Sequence, residues 1–373
     1  MLSSALLADP RIVLTLDAGG SSFRFAAAQG GRIVAELPPT ASHAADLAQC
    51  LATLKDGFAR VRALCSAPPV AISFAFPGPA DYAAGIIGDL PNFPAFRGGV
   101  ALGPMLEDAF GLPVHMNNDG DLFAYGEAAA GFLPWINQRL GEAGSPKHYS
   151  HLLGFTFGTG LGAGLMRGGE LVEGDNAGAA NAHLLRHKLE PALNAEEGAS
   201  IRAVRRVYAA VAGLPVESVP DPRGIAAIAR GEETGHRDAA RESYRRMGEV
   251  AGDSIAQACA LFDGLVVIGG GLAGAADLFL PALLAAMNAE FAGGARLRRL
   301  GPRAFNAEDP AELSQFLAGE RRELLVPGSQ RRVSYDPMAR VAVGVSRLGT
   351  TAAIVLGAYA FALRKLDAAY APR

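Results

Sequence analysis

The chain alternates short apolar runs with longer segments that have helical spacing. The runs are rich in Val, Ile, Leu and Phe and end at Gly, Pro, Asn or Asp, which is typical of buried strands. These runs are residues 12–16, 70–76, 112–116, 152–157 and 265–268. Helical spacing is found at residues 45–65, 105–110, 122–130, 196–207, 238–261 and 349–363. Strands interspersed with helices predict an α/β fold.

One order of elements occurs twice along the chain. The run at residues 12–16 leads into a glycine turn at residues 17–22, a second apolar run, a Gly-Gly pair and a third run. The run at residues 152–157 leads into a glycine turn at residues 158–160 and then repeats the same order. No helix-length segment separates these pieces, so each set predicts an antiparallel meander. Such a repeat predicts two similar half-domains that face a cleft.

The two glycine turns suit phosphate binding. A turn of this kind leaves backbone N–H groups unpaired, and glycine lets a phosphate approach them closely. Asp17, at the start of the first turn, suits a Mg²⁺ ion held through water, since hard cations prefer oxygen ligands. The spacing of Gly158, Gly160 and Gly162 resembles a dinucleotide fingerprint, but that motif needs a following helix, and a hairpin follows here. We therefore expect the pair of hairpins to grip the phosphate chain of a nucleotide.

A third glycine segment, Gly269–Gly271, follows the apolar run at residues 265–268 and precedes a helix from about Asp277. A loop at this place can pass beneath an adenosine. A tight strand–helix junction is the simpler explanation of the segment taken alone.

The polar stretch Asn117–Asp121 follows the apolar run at residues 112–116. An acid at the end of a buried strand, beside amide side chains, suits general-base chemistry on a hydroxyl group. An Asx-rich turn or a helix N-cap before residues 122–127 explains the same residue types. The two glycine turns favour the catalytic interpretation, with Asp119 as the base.

Composition narrows the classes of function. The chain has 373 residues, half of them apolar and 19% charged, which suffices for two domains. The formal net charge of −3 predicts no basic face for nucleic acid, and the arginine clusters at residues 202–206 and 321–332 have acids nearby and predict solvated surfaces. The cysteines Cys50, Cys65 and Cys259 lie far apart, which predicts neither disulfides nor a cysteine zinc site and agrees with a cytoplasmic location.

The sequence predicts no histidine metal site, no signal peptide and no membrane span. His183 and His187 lack nearby cysteines, so we interpret them as satisfied or surface histidines rather than metal ligands. The N-terminus lacks the pattern of a signal peptide. The apolar stretches at residues 265–287 and 341–363 are interrupted by glycines, a proline or charges, so we expect each to be a buried strand and helix rather than a membrane span.

These motifs together resemble those of the ROK family of sugar kinases, within the actin-like ATPase superfamily. Residues 16–24 resemble its first phosphate motif, with Ser21 where Thr is usual, and residues 158–164 resemble its second. Residues 268–271 resemble the adenosine motif, and Asn118-Asp119 resembles the pair that includes the catalytic base. The sugar-loop region is matched by residues 76–79, 85–87 and 91–94, and the resemblance covers residues from about 11 to 363.

The resemblance implies two ribonuclease H-like domains that face a central cleft. The small lobe would comprise residues 1–131 and about 360–373, and the large lobe residues 132–359, after an approach through the polar stretch at residues 137–149. ATP, with Mg²⁺, would donate a phosphate group to a sugar. The resemblance is also the basis for expecting a homodimer. Contacts to the sugar are implied for Asn92, Asn118, Asp119, Asn181 and Glu196. Contacts to the nucleotide or its magnesium are implied for Asp17, Gly19, Gly20, Ser21, Gly158, Thr159, Gly160, Gly270 and Gly271.

Besides Ser21, the chain departs from the family pattern in two places. The cysteine-rich zinc segment is absent, so no structural zinc is expected. Asn181 replaces a sugar-binding Glu; its amide both accepts and donates hydrogen bonds but carries no charge. Glu196, or alternatively Glu197, matches the later sugar-contacting Glu, and Asn92 is also explained as a turn residue between prolines.

A non-catalytic alternative follows from the Asn181 change. In this interpretation the chain is a degenerate sugar sensor or regulator of the same family. The family's repressors carry an N-terminal helix-turn-helix, whereas only about ten residues precede Ile12 here, so no DNA-binding domain is expected.

Overall fold

The structure is a computed structural model of the chain and describes residue 6 and residues 8–78, 80–90, 93–292 and 299–370. The strands of the parallel and hairpin sheets are β1 (Val13–Ala18), β2 (Ser22–Gln29), β3 (Arg32–Glu36), β4 (Thr40–Ala41), β5 (Ala71–Ala75), β6 (Ala80–Asp81), β7 (Ile86–Ile87), β8 (Val114–Asn117), β9 (His151–Phe157), β10 (Leu161–Arg167), β11 (Glu170–Leu171), β12 (Leu265–Gly269), β13 (Arg303–Asn306), β14 (Arg322–Leu325), β15 (Arg332–Tyr335) and β16 (Arg340–Val345). The α-helices are α1 (Leu47–Ala63), α2 (Leu102–Phe110), α3 (Asp119–Ala129), α4 (Phe132–Glu142), α5 (Ile201–Ala212), α6 (Pro222–Arg230), α7 (Arg237–Leu261), α8 (Ala276–Met287), α9 (Pro310–Ala318) and α10 (Thr350–Tyr370).

The chain forms two compact units. Unit 1 comprises Met1–Pro134, Gly164–Ala180 and Arg347–Arg373, and unit 2 comprises Trp135–Ala163 and Asn181–Ser346. The lobe boundaries expected from the resemblance remain a prediction.

Unit 1 is built on a sheet in the order β3-β2-β1-β5-β8, with β4 paired to β2. The strands β1, β2 and β3 form the antiparallel meander that the sequence predicts, and β1, β5 and β8 run parallel. Parallel strands end at the same edge of a sheet. Asp17, near the end of β1, and Asn117, at the end of β8, therefore lie at one edge.

An aromatic core fills the space between this sheet and helix α1. Phe25 and Phe58 meet edge-to-face with ring centroids 5.2 Å apart, and both are buried. Gly57 in α1 lies against the Phe25 ring so closely that a Cβ there would overlap it. Burial of rings of this size contributes a large part of the apolar stabilisation of a domain.

Helix α3, which begins at Asp119, packs unusually closely on helix α10. A Cβ atom at Gly126 would overlap the backbone carbonyl of Ala353, and one at Gly357 would overlap that of Leu122. Both glycines therefore allow backbone-to-backbone contact between the two helices. The fully buried carboxylate of Glu127 accepts hydrogen bonds from the backbone N–H groups of Phe132 at 2.7 Å and Leu348 at 3.2 Å, which joins α3 to the segment that precedes α10.

In unit 2, the strands β9, β12, β16 and β13 are hydrogen-bonded neighbours in that order and run parallel. The hairpin from β9 to β10 turns at residues 158–160, and β10 pairs antiparallel with β11. The second meander is thus present as predicted. Helices α7 and α8 pack on each other, and Gly248 and Gly252 in α7 meet the backbone of Phe279 and Leu283.

Several elements differ from the predictions. The predicted helix at residues 196–207 begins only at Ile201, because residues 195–197 form a 3₁₀ turn capped by Asn194. The polar stretch at residues 137–149 is entered through α4, whose buried Phe132, Ile136 and Leu140 are spaced at helical intervals. The elements β13, α9 and the β14–β15 hairpin were not predicted; the hairpin strands are exposed throughout, so they lack an apolar face.

Two other predictions are confirmed. Residues 341–363 fall into β16 and α10, a buried strand and a helix. His187 is a satisfied buried histidine, since its Nδ1 accepts from the backbone N–H of Glu190 at 2.9 Å. Among the described helices, none combines the length and the apolarity that crossing a membrane requires.

The contact between α3 and α10 predicts a specific loss of stability. Gly126→Ala gains about 1 kcal/mol of helix propensity, but it forces apart two backbones, and overpacking of this kind costs about 1–3 kcal/mol. Because the neighbour is a backbone carbonyl that cannot rotate away, we expect the upper end of that cost and therefore a net loss of up to about 2 kcal/mol in the free energy of unfolding, measured by urea titration.

Gly141→Ala is the matched control for that variant. Gly141 also lies in a helix, but a Cβ there meets nothing within 4 Å. We expect this variant to gain up to about 1 kcal/mol. Equal stability of the two variants would contradict the close approach of α3 and α10.

Candidate functional site

The acid-bearing turn between β8 and α3 is held by its own side chains. Asn118 is the N-cap of α3, and its Oδ1 accepts from the backbone N–H of Asp121 at 2.7 Å. The Asn118 amide also donates from Nδ2 to Asp121 Oδ2 at 2.5 Å. The N-cap that composition suggested is therefore formed by Asn118, which leaves Asp119 as the first residue of the helix, at the positive end of its dipole.

The side chain of Asp119 is available for chemistry. Its residue is exposed to solvent, and its Oδ1 accepts from the backbone N–H of Gly120 at 2.9 Å. The protein that surrounds this carboxylate raises its pKa, and the backbone hydrogen bond of Gly120 opposes that rise. A carboxylate with a raised pKa is suited to accept a proton.

Asp17 interacts electrostatically with Asp119. Burial and, to a smaller extent, the negative charge of Asp119 together raise the pKa of Asp17 to about 6, against the opposing effects of Arg24 and a hydrogen bond with Thr351. The structure thus brings together the acid predicted to hold magnesium through water and the acid predicted to be the base. For two carboxylates that repel each other, ionisation of both together is unfavourable unless a cation between them compensates the repulsion.

The first glycine turn is braced by Ser42. Gly19 N–H donates to Ser22 O at 3.0 Å, and a Cβ at Gly19 would lie 3.1 Å from that carbonyl. The Ser42 hydroxyl donates to Gly20 O at 2.6 Å, and Ser42 N–H donates to Ser21 O at 3.2 Å. These bonds use the carbonyls of the turn. The N–H groups of Gly20 and Ser21 have no hydrogen-bond acceptor within the part of the chain that the structure describes.

The second glycine turn is closed by a hydrogen bond from Gly158 N–H to Gly160 O at 3.0 Å. Within the described ranges, the N–H groups of Thr159 and Gly160 have no hydrogen-bond acceptor. Arg202 donates to Thr159 O at 3.2 Å and pairs with Glu196 at 2.6 Å, so a cation lies beside the turn. Sequence reasoning assigned Arg202 to a solvated surface and missed this contact.

In the third glycine segment, the backbone conformation and packing of Gly270 require glycine. Gly270 has a φ of 87°, and a Cβ there would overlap the backbone of Phe157 at the end of β9. Only glycine permits both the left-handed backbone and this close approach. Gly271 faces open space. The strand–helix junction is therefore tight, and the adenosine contact predicted for Gly270 and Gly271 remains a prediction.

The predicted sugar contacts have varied surroundings. Asn92 lies outside the described residues. Asn181 is exposed and precedes a short 3₁₀ helix at residues 182–184 without capping it. Glu196 is engaged within unit 2, where its Oε2 accepts from the backbone N–H of Leu161 at 3.1 Å and its Oε1 from Arg202. The sugar-binding roles of these residues stay predictions.

Sequence reasoning missed a polar network behind the acid-bearing turn. Asn117 Nδ2 donates to Glu173 Oε1 at 3.3 Å, and Lys365 Nζ lies 3.4 Å from Glu173 Oε2. Asp121, which accepts from Asn118, is almost fully buried. Asp121 stood within the polar stretch that the sequence singled out. Glu173 and Lys365 are distant in the chain, so no local pattern marks them.

The residues present fit the groups that the motifs imply. Each of the two glycine turns has two neighbouring N–H groups without an acceptor among the described residues, and such groups match the acceptor oxygens of phosphates. The carboxylate of Asp17 suits a magnesium ion held through water. Among the described residues, no cluster of three or more His, Cys, Asp or Glu side chains is arranged to bind a metal directly.

Comparison with known sequences supports one family. A sequence profile of the ROK family matches residues 13–299. The glucokinase of Thermotoga maritima is 31% identical over 137 residues, which cover 35% of this chain and 39% of that protein. The match thus spans about two-fifths of the length of this curated relative.

Solved structures extend the similarity to nearly the whole chain. The crystal structure of a glucokinase from Parabacteroides distasonis is 51% identical, with a TM-score of 0.88 over 96% of this chain and 99% of that one. A ROK hexokinase from Thermus thermophilus is 19% identical, with a TM-score of 0.67 over 95% and 99% of the two chains. A ROK glucokinase from Streptomyces griseus, solved with glucose and AMPPNP, is also 19% identical, with a TM-score of 0.60 over 93% and 98%.

The fold class predicted from the sequence is confirmed, because these neighbours have the two-domain actin-like ATPase fold. The two distant neighbours support the fold alone. The profile match covers more than half of the residues, and the likeness to the Parabacteroides structure covers almost all of them. The chain belongs to the ROK family.

Proposed function

We propose that this protein is an ATP-dependent sugar kinase that transfers the γ-phosphate of ATP to a hydroxyl of a hexose or a hexose-like sugar. The observation that carries the proposal is the carboxylate of Asp119 at the first residue of α3, with a raised pKa and with Asp17 as its electrostatic neighbour. The 51% identity to a glucokinase structure supports a sugar as the acceptor.

In the proposed reaction, Asp119 accepts the proton of the sugar hydroxyl while the hydroxyl oxygen attacks the γ-phosphorus in line, and the bond between the γ-phosphorus and the bridging oxygen breaks to release ADP. Asn118 fixes the direction of this carboxylate by capping the helix that carries it. The N–H groups of Gly20, Ser21, Thr159 and Gly160 would donate to phosphate oxygens, and Asp17 would hold a magnesium ion through its water molecules. That ion, when bound, neutralises the charge of the phosphates.

We propose the lobe division that the resemblance implies, with residues 1–131 and about 360–373 in the small lobe and residues 132–359 in the large lobe. In enzymes that catalyse phosphoryl transfer, closure of two lobes excludes water and positions the reacting groups. The glycine segment at Gly270 and Gly271 would then pass beneath the adenosine. A homodimer and a cytoplasmic location belong to the same proposal.

A second candidate function rests on Asn181. Its amide stands where the family pattern has a sugar-binding Glu, and it offers no charge to sugar hydroxyls. A chain with a weakened sugar site can bind ligand without turnover and act as a sensor. A coupled ADP-release assay with Mg²⁺-ATP and a panel of hexoses, N-acetylhexosamines and ketoses separates the two functions. Sugar-dependent ADP release supports the kinase, whereas thermal stabilisation by a sugar without ADP release supports the sensor.

Removal of the proposed base tests the assignment of Asp119. Asp119→Asn keeps an oxygen that can accept from Gly120 N–H, so we expect the fold to remain. Loss of a general base typically lowers turnover about 100- to 10,000-fold, and we expect kcat to fall within this range.

Asp108→Asn is the control for that variant, since Asp108 is an exposed acid in α2. We expect its kcat to equal that of the wild type. If Asp119→Asn retains full activity in the assay, Asp119 is not the base.

The pKa of Asp17 predicts an acid limb in the pH profile. Because burial and the charge of Asp119 raise this pKa to about 6, Asp17 takes up a proton as the pH falls through 6 and no longer orients the waters of magnesium. We expect the affinity for Mg²⁺-ATP to decline below about pH 6 and to be constant above pH 7.

Asp119→Asn removes one of the two causes that raise this pKa. We therefore expect the midpoint of the Mg²⁺-ATP affinity profile to move to a lower pH in this variant, as measured by titration calorimetry between pH 5 and 8. Asp108→Asn should leave the midpoint in place. An unmoved midpoint in Asp119→Asn would mean that the two carboxylates do not interact.

A further inference from the structure

A cavity of about 550 Å³ lies at the β8 edge of the unit 1 sheet. We call it the β8-edge cavity; its walls come from residues 80–83, β8, Asp121, the loop at residues 173–177 and two residues of α10. Small-molecule pockets in proteins have volumes of about 300–1,000 Å³, so its size suits a compact ligand. Asn117 and Asp121, which line it, flank Asn118 and Asp119 in the chain.

Two buried polar atoms in the wall of this cavity lack partners. Asp121 is only 4% exposed, and its Oδ1 has no hydrogen bond within the described part of the chain, although its Oδ2 accepts from Asn118. The buried Nε2 of His115 is also without a partner among the described residues. A buried polar atom without a hydrogen bond costs about 1–3 kcal/mol. A ligand that supplies a donor and an acceptor here removes that cost.

The charges of the cavity disfavour an anion. Asp81, Glu173 and Asp175 line it, and so does Lys365. The Lys365 ammonium is already engaged, since it lies 3.4 Å from Glu173 and 5.0 Å from the centroid of the Phe361 ring. A phosphate or a nucleotide would therefore meet net repulsion.

The uncharged groups of the cavity suit hydroxyl-bearing rings. Burial raises the pKa of Asp121 well above its ordinary value and lowers the pKa of His115, and each shift is in the direction of the neutral form. The negative charges of Glu173 and Asp119 also raise the pKa of Asp121, and Lys365 lowers that of His115 while Glu107 opposes this. A neutral acid and a neutral imidazole each donate or accept one hydrogen bond, as hydroxyl groups require.

Aromatic side chains complete the lining. Tyr82 and Phe361 are buried and face the same cavity. Tyr82 is held in place by a hydrogen bond from its hydroxyl to Phe76 O at 2.9 Å, and Phe361 by an edge-to-face contact with Tyr125. Fixed aromatic rings with a few placed polar groups are the usual lining of small-molecule pockets.

We propose that the β8-edge cavity binds one neutral pyranose ring through Asp121 Oδ1 and His115 Nε2, beside the acid-bearing turn. This inference rests on the proposed sugar kinase function and extends it to a second sugar-binding position. The ring has two possible sources: the second ring of a disaccharide acceptor whose first ring reaches Asp119, or a separate free sugar.

Titration calorimetry of the full chain without nucleotide tests the proposal, with glucose and maltose as probes. A second glucose-binding event per chain indicates a separate sugar, and tighter binding of maltose than of glucose indicates an extended acceptor. His115→Leu removes the hydrogen-bonding nitrogen and keeps an apolar side chain of moderate size. Loss of one hydrogen bond of about 1 kcal/mol lowers the affinity of the second event, or the advantage of maltose, about fivefold.

Asp121→Asn is the second variant, because it alters the side chain that carries the unpartnered oxygen without removing an acceptor for Asn118. We expect a loss in the same direction. His148→Leu, outside the cavity lining, is the control and should bind both probes like the wild type. A single glucose event with no advantage of maltose, unchanged by His115→Leu and Asp121→Asn, would overturn the proposal.

The binding measurement is independent of turnover. If ADP release is absent while sugar binding depends on His115, the kinase proposal fails and the cavity assignment stands. If ADP release is sugar-dependent while neither variant changes the binding of either probe, the cavity assignment alone fails.

Discussion

The backbone contact between α3 and α10 is the constraint on which the acid-bearing turn depends. Gly126 and Gly357 let the two helices approach until a backbone carbonyl occupies the place of a side chain. A third glycine, Gly164, also brings β10 close to the first turn of α3. A Cβ atom added at Gly164 would lie 2.6 Å from Gly120 O. Helix α3 is therefore fixed from two sides, and the direction of Asp119 at its first residue follows from packing rather than from contacts of the carboxylate itself.

Electrostatics add a second constraint to this packing. Burial and mutual repulsion raise the pKa of Asp17, so the ionised pair of Asp17 and Asp119 is unfavourable in isolation. A cation held near Asp17 relieves this repulsion. In the proposed function, a magnesium-bound phosphate would supply that cation, which agrees with the electrostatic stabilisation on which phosphoryl transfer depends. The N–H groups of Gly20, Ser21, Thr159 and Gly160 act in the same sense. They have no hydrogen-bond acceptor among the described residues, and an anion bound at the turns would supply one.

Much of the fold was predictable because its signals are local. The meander that carries Asp17, the hairpin at residues 158–160 and the strands β5, β8 and β12 all follow from apolar runs bounded by glycine or Asx residues. The exposed hairpin β14–β15 has no buried face, so hydrophobic alternation does not mark it. The predicted start of α5 was wrong, because Gly198 and a 3₁₀ turn interrupt a stretch whose residue spacing is typical of a helix.

The site was predictable only where one turn contains its residues. Asp119 and Asn118 are adjacent in the chain, and the same local pattern supported both an N-cap and a base; the structure has Asn118 as the cap and leaves Asp119 exposed. The partners of this turn, Glu173 and Lys365, come from segments that only the fold brings near. Because the network ends at Asp121 with an unpartnered oxygen in a cavity wall, the hydrogen bonds that orient the acid-bearing turn also reach a place where a ligand can bind. Ligand binding there would bear directly on the residues that hold Asp119.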